Sequence, residues 1–228
     1  MIEIEHDNSV EMWKKYYASK IGIPFFEKIV HFARKIYFGR AFMQTILKLG
    51  GPAQSYIETG VGTGQTLERL QIATGSKCVG IEKTLEAEMM GKEYAVHCEI
   101  KIGDALALPQ QPKTFDVAYS LGLFEHFGTK EQLQFLSEQA RVTKNKVLIE
   151  VPFKSPHMVS IMWFNRNIRK LKGVWADDEL FSKRHFQEKF PGLPFEYHIS
   201  FTALLMTCWF VLKPRDIELF LEKNHFIS

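Results

Sequence analysis

The sequence predicts an α/β domain built on a mostly parallel sheet. Three observations carry this. Short apolar runs alternate with amphipathic helical segments from Gln54 onward, a glycine-rich loop separates the first such run from the first such helix, and acidic residues close the next two runs. The 228 residues, 46% hydrophobic and 24% charged, are enough to bury a core without disulfides or structural metal, so a disordered chain and a small cross-linked scaffold are both excluded.

Residues 9–49 read as helical. Phe25, Phe26, Ile29, Val30, Ala33, Ile36 and Tyr37 recur at spacings of three and four, with His31, Arg34 and Lys35 on the other side. Gly22 to Pro24 interrupts this stretch and Gly50-Gly51-Pro52 ends it, which predicts a helical N-terminal cap over 1–53. Tyr16 and Tyr17 are placed to close over a ligand or to join an aromatic cap. Strands are expected at Ser55–Thr59, Lys77–Glu82, Cys98–Ile102, Phe115–Ser120 and Val147–Val151, with helices from Gln65 to Thr74, across Leu85–Tyr94, and from Thr129. Thr129 and Gln132 have the form of a capping box, and Leu133, Leu136 and Ala140 give that helix its apolar face. Residues 152–194 break the rhythm and read as a partly helical insertion at the sheet's carboxyl edge. Phe195–Phe201 and Leu204–Leu212 then suggest an antiparallel ribbon, and Pro214 opens a last helix with Ile217, Phe220 and Leu221 on one face.

Composition narrows function. A net charge of +3, spread along the chain, is not the footprint of a DNA- or RNA-binding protein. Cys78, Cys98 and Cys208 form no close pair, so a reducing, cytoplasmic setting is expected. The opening MIEIEHDN is acidic, unlike a secretory leader. The longest apolar run, Ala203–Leu212, is half of the roughly 20 residues a membrane helix needs.

The segment E-T-G-V-G-T-G over 58–64 is the most informative. Gly60, Gly62 and Gly64 allow a tight turn and close approach of a ligand to the backbone, and the following helix offers free N–H groups to an anion. Gln65 occupies the place of the last glycine of a dinucleotide fingerprint, and no G-K-[ST] follows, so neither nicotinamide redox chemistry nor a P-loop fits. Glu82 ends V-G-I-E and can accept hydrogen bonds from a ribose diol. Asp104 follows the third strand in I-G-D-A, placed to accept a donor such as an adenine amino group. The fourth strand, F-D-V-A-Y-S, runs into L-G-L-F-E-H.

This set, in this order over about Gln54 to Val151, resembles the class I S-adenosylmethionine-dependent methyltransferases, and within them the small-molecule (methyltransferase type 11-like) branch. The resemblance implies a Rossmann-like seven-stranded sheet with an antiparallel last strand, a methyltransferase domain over 54–228 with a substrate-side insertion at 152–194, and S-adenosyl-L-methionine as cofactor, leaving as S-adenosyl-L-homocysteine. By position it implies that Glu58 and the Gly60–Gly64 backbone face the methionine part. Glu82 holds the ribose, Lys83 lies beside the adenine, Asp104 and the Ala105 amide read its edge, and Ser120 and Leu121 border the sulfonium. Phe124 departs from the leucine the family often has there, and the chain beyond Val151 matches no family pattern.

His126 is the first candidate for a general base or acceptor contact, since an imidazole titrates near neutrality. Glu125 and His157 follow it, while His185 reads as a surface residue and Asp177-Asp178-Glu179 as a helix start. No residues have metal-ligand spacing. In the insertion, Met158, Ile161, Met162, Trp163, Phe164, Ile168, Leu171 and Trp175 read, in order of preference, as core, as an apolar acceptor pocket, or as a membrane contact, with Arg166, Arg169, Lys170 and Lys172 to meet an anionic group. The expected activity is methyl transfer to an O, N or S atom of a small hydrophobic or aromatic molecule, without DNA or RNA as partner. A protein or RNA methyltransferase, or a non-catalytic scaffold of the same fold, are the alternatives.

Overall fold

A computed structural model describes residues 25–168, 170, 179–201 and 206–226, with side chains from Phe38 onward apart from Glu86, Ala87 and Met90. Seven strands form one sheet: β1 (Ser55–Thr59), β2 (Lys77–Glu82), β3 (Glu99–Ile102), β4 (Phe115–Leu121), β5 (Thr143–Pro152), β6 (Glu196–Ile199) and β7 (Thr207–Leu212). Their spatial order is β3-β2-β1-β4-β5-β7-β6. β1 to β5 pair in parallel, and β7 lies antiparallel to both β5 and β6. The helices are α1 (Phe25–Gly50), α2 (Gln65–Thr74), α3 (Leu85–Tyr94), α4 (Thr129–Val142), α5 (Pro156–Asn167), α6 (Lys183–Lys189) and α7 (Pro214–Lys223), with a 3-10 turn over Phe124–His126.

The elements follow from the side-chain pattern. Strands covered on both faces must be apolar on both, and β4 and β5 bury Val117, Ala118 and Tyr119, and Val147, Leu148 and Ile149. One face packs Tyr56, Val117, Tyr119, Leu148 and Trp209 against α1 and α2, where Ile46, Leu49, Leu67 and Leu70 meet them. The other face packs Val147, Ile149, Cys208 and Phe210 against α4, α6 and α7. That second layer is dense in aromatic rings, with Phe186 stacked on Phe210 at 4.0 Å between centroids and Phe124 among Phe135, Phe181 and Phe190.

Several expectations shift. The third strand starts at Glu99 rather than Cys98, and the fifth starts at Thr143. The α4 cap is Gly128, whose N–H is accepted by Glu131 at 2.8 Å, in place of a Thr129–Gln132 box. Gln132 is buried instead and donates to the Phe124 carbonyl and to Glu179, both at 3.1 Å. Glu179 is half-buried and lies outside any helix; it also accepts from Lys189 at 2.7 Å and meets His185 at 2.8 Å. His185 is accordingly half-buried and paired, not a free surface residue. Asp177, Asp178, Leu171, Trp175, Tyr16 and Tyr17 lie outside the described residues.

The loop after β3 carries two of the expected site residues, and α4 holds it in place. Glu138 accepts the Leu108 N–H at 2.6 Å, while Arg141 donates to the carbonyls of Leu108 and Gln110 at 2.7 Å and to Glu138 itself. Arg141→Ala leaves those carbonyls and the buried Glu138 carboxylate short of donors, so it is expected to cost about 1–3 kcal/mol in urea unfolding and to speed amide exchange over 105–110.

Candidate active site

The candidate site is assembled at the carboxyl edge of the sheet, where the strand order turns from β1 to β4, the place at which open α/β sheets bind ligands. β1 ends at Thr59, and the loop that follows takes Gly60, Gly62 and Gly64 through φ of 72°, 52° and 68°. This is the left-handed region, where side chains are strained. Space also demands glycine: a Cβ on Gly60 would stand 2.9 Å from Leu123, and one on Gly64 2.8 Å from Ala95. The loop is pinned from beneath, since the amides of Gly60 and Val61 both donate to the Ile81 carbonyl.

Glu82 closes β2 beside this loop. One of its carboxylate oxygens accepts the Gly62 N–H at 2.9 Å and the other the Lys83 N–H at 2.9 Å. Burial pushes its carboxyl upward against those amides, which favour the anion. The Thr84 N–H is a third backbone donor to it, so of the about four acceptor positions of a carboxylate one remains for a ligand hydroxyl. Lys83 reaches Asp104 at 3.6 Å, which draws the ends of β2 and β3 together. Asp104 also accepts the Leu106 N–H at 2.9 Å, so it shapes its own turn as well as bordering the site, with Ala105 half-buried next to it.

Glu58 lies below the loop, 3% exposed, and accepts a hydrogen bond from the Tyr119 hydroxyl at 2.8 Å. Burial raises its carboxyl to about 8, against the Tyr119 bond and with a smaller push from Glu82. Ser120 and Leu121 end β4. Ser120 faces Thr59 in register, and the hydroxyls of both are buried with no partner among the described residues. Two orphaned hydroxyls, a carboxylate with acceptor capacity left and a backbone-lined turn suit a ligand with several polar groups.

Beyond Leu121 the chain turns at Gly122 (φ 63°) into the 3-10 turn, which sets Glu125 in the interior and His126 half-buried beside it. His157 does not join them by contact: it is exposed on the first turn of α5, with Nε2 3.4 Å from the Ser155 hydroxyl. No group of three or more metal-ligating side chains occurs among the described residues.

The sequence reading missed two buried groups. Tyr119, the partner of Glu58, reads in the sequence only as another large strand residue. Glu150 is the second. It sits near the end of β5, buried, and burial pushes its carboxyl up to about 7. Its main-chain carbonyl accepts the Gly122 N–H at 3.2 Å, and a Cβ on Gly122 would stand 3.5 Å from Glu125 Oε1, so Gly122 is bordered by both acids. The available signal was a lone acid inside the apolar run V-L-I-E-V.

These two carboxyls have a pH consequence. An acid whose pKa rises on folding binds more protons in the folded chain across the window between the two values. The stabilisation is complete below about 4.5 and is lost as pH rises towards about 8 for Glu58 and about 7 for Glu150. The cofactor-free protein is therefore expected to lose stability across that window in urea titrations. Glu58→Gln should flatten most of the slope, and an unchanged slope in that variant would remove Glu58 as its source.

Comparison with known proteins agrees with this geometry. Residues 57–146 match the family model described as a methyltransferase domain. A probable tocopherol O-methyltransferase, chloroplastic, of Oryza sativa subsp. japonica is 26% identical over 133 residues, covering 56% of this chain and 34% of that protein. The chain thus spans about a third of that relative's length. Magnesium protoporphyrin IX methyltransferase from Synechocystis PCC 6803, solved with bound SAH, superposes with a TM-score of 0.62 at 12% identity over 90% of this chain and 94% of that one. A possible histamine N-methyltransferase from Thermotoga maritima gives 0.59 at 16% identity over 81% and 93%. These structural likenesses establish the fold. The family model spans β1 to the start of β5, so the match to a methyltransferase domain rests on residues 57–146, under half of the chain.

Proposed function

We propose that this chain moves the methyl group of S-adenosylmethionine to an oxygen, nitrogen or sulfur atom of a small hydrophobic or aromatic molecule. The observation that carries the reading is the left-handed glycine turn anchored on Glu82, with an apolar helical segment at the same sheet edge. The relatives named for tocopherol and magnesium protoporphyrin IX lend support to a lipophilic acceptor. The free thiols Cys78, Cys98 and Cys208 lend support to a reducing, cytoplasmic setting.

In this reading Glu82 takes a ribose hydroxyl with its remaining acceptor position, Lys83 lies along the adenine, and Asp104 with the Ala105 amide meets the adenine edge. Gly60, Gly62 and Gly64 bring bare backbone against the methionine part, with Glu58 and its Tyr119 bond beneath. Ser120 and Leu121 border the sulfonium, and the Ser120 hydroxyl finds there the partner it lacks in the protein. The cofactor supplies an activated methyl on a good leaving group. The protein's part is to orient the acceptor and exclude water, effects that can contribute roughly 7–11 kcal/mol. For an acceptor that arrives protonated, His126 takes the proton. Glu125 and Glu150 on either side of Gly122 hold the acceptor's polar end.

Two variants test the roles separately. Glu82→Ala is expected to weaken S-adenosylhomocysteine binding by at least about tenfold in calorimetry, since hydrogen bonds to charged groups are worth about 1.5–3 kcal/mol each. His126→Ala is expected to cut turnover by about 10²–10⁴-fold while leaving that binding intact. Binding by the unaltered protein with no turnover on any lipophilic acceptor would favour the scaffold reading.

A further inference from the structure

α5 turns little of itself towards the protein. Met158 and Asn165 are its buried residues, while Val159, Ile161, Trp163 and Phe164, with Ile168 just beyond, remain exposed, Trp163 to 59%. Single exposed apolar residues are ordinary, but Val159, Ile161, Trp163, Phe164 and Ile168 together fall within three turns. Phe201, 78% exposed, follows β6 at the same edge of the sheet, and the Phe153 amide donates to the Met206 carbonyl at 2.8 Å, joining the segment before α5 to the start of β7.

Two exposed polar residues of α5, Ser160 and Asn167, already make hydrogen bonds within the helix. The Ser160 hydroxyl donates to the Pro156 carbonyl at 2.9 Å, and the Asn167 amide donates to the Trp163 carbonyl at 2.9 Å. Such groups lose little when water is withdrawn, because their donors keep their partners. Charge is one-sided as well. Between Val151 and Ala176 the sequence holds Lys154, Arg166, Arg169, Lys170 and Lys172 and no Asp or Glu; Arg169 and Lys172 lie outside the described residues.

We propose that α5, together with Lys154, Arg166 and Lys170, forms a docking surface for an anionic lipid bilayer, with the helix lying in the plane of the headgroups. Aromatic and aliphatic side chains enter the boundary of the acyl region while Lys and Arg meet the phosphates, the arrangement interfacial helices use. The 12 residues of α5 are too few to cross, and no helix among the described residues is long and apolar enough to do so. A second copy fits the patch less well. A two-fold interface would set this patch against itself, bringing the same cations face to face with no acid in the stretch to pair them.

The test needs neither cofactor nor acceptor. The full chain is sedimented with vesicles of phosphatidylcholine alone and of phosphatidylcholine mixed with phosphatidylglycerol, at low and high salt. Partition onto the mixed vesicles, weakened by salt, is expected. A Trp163→Asp, Phe164→Asp variant should bind them at least about tenfold more weakly while keeping its circular dichroism and S-adenosylhomocysteine affinity. Lys170→Glu should lower the salt-sensitive part alone. The proposal is overturned if the unaltered chain stays in the supernatant, or if the aspartate variant partitions equally well. It is likewise overturned if the chain runs as a dimer that the same substitutions split, for the patch then belongs to a second copy.

Discussion

One hydrogen bond organises the site: the Gly62 amide donating to the Glu82 carboxylate at 2.9 Å. It joins the loop after β1 to the end of β2, so the turn is held from two neighbouring strands at once. The backbone at Gly60, Gly62 and Gly64 enters the left-handed region, and the turn sends the Gly62 amide to the acid while the Gly60 and Val61 amides donate to the Ile81 carbonyl. The same carboxylate accepts the Lys83 amide, Lys83 reaches Asp104, and Asp104 folds the turn on which Ala105 sits. Three strand ends are thus connected through short polar contacts before any ligand arrives. Preorganisation of this kind lowers the entropic cost of binding a flexible cofactor.

The parts legible in the sequence are those whose physics is local. Strand runs such as V-G-I-E and F-D-V-A-Y-S show their burial in composition alone, because a covered parallel strand must be apolar throughout. Glycines required by φ or by lack of space stand out for the same reason. What the sequence concealed depends on partners distant along the chain. Gly128 caps α4 because Glu131 folds back to it, and nothing near Thr129 announces that this wins over the Thr129–Gln132 alternative. Gln132 is then released to reach Glu179, 47 positions away, which ties an acid expected at a helix start into a half-buried network. Tyr119 and Glu58 are 61 apart, and Glu150 gains its meaning only from the β4–β5 pairing that brings Gly122 next to it.

Two buried acids at one sheet edge are costly to keep, and each is raised towards neutrality rather than left as a bare anion. Arrangements that oppose stability in this way concentrate where chemistry is done. Here they stand on the same face of the sheet, Glu58 on β1 and Glu150 on β5, flanking the end of β4 from which Gly122 and the 3-10 turn depart.

The antiparallel placement of β7 between β5 and β6 also bears on how the chain folds. β6 precedes β7 in the chain yet lies outside it in space, so it has no neighbour to pair with until residues 207–212 have been made. A nascent chain on the ribosome therefore holds β5 as an open, strongly apolar border through the whole synthesis of 153–206. That interval is when stray strands from other chains can add to it, and when a holding chaperone has most to protect.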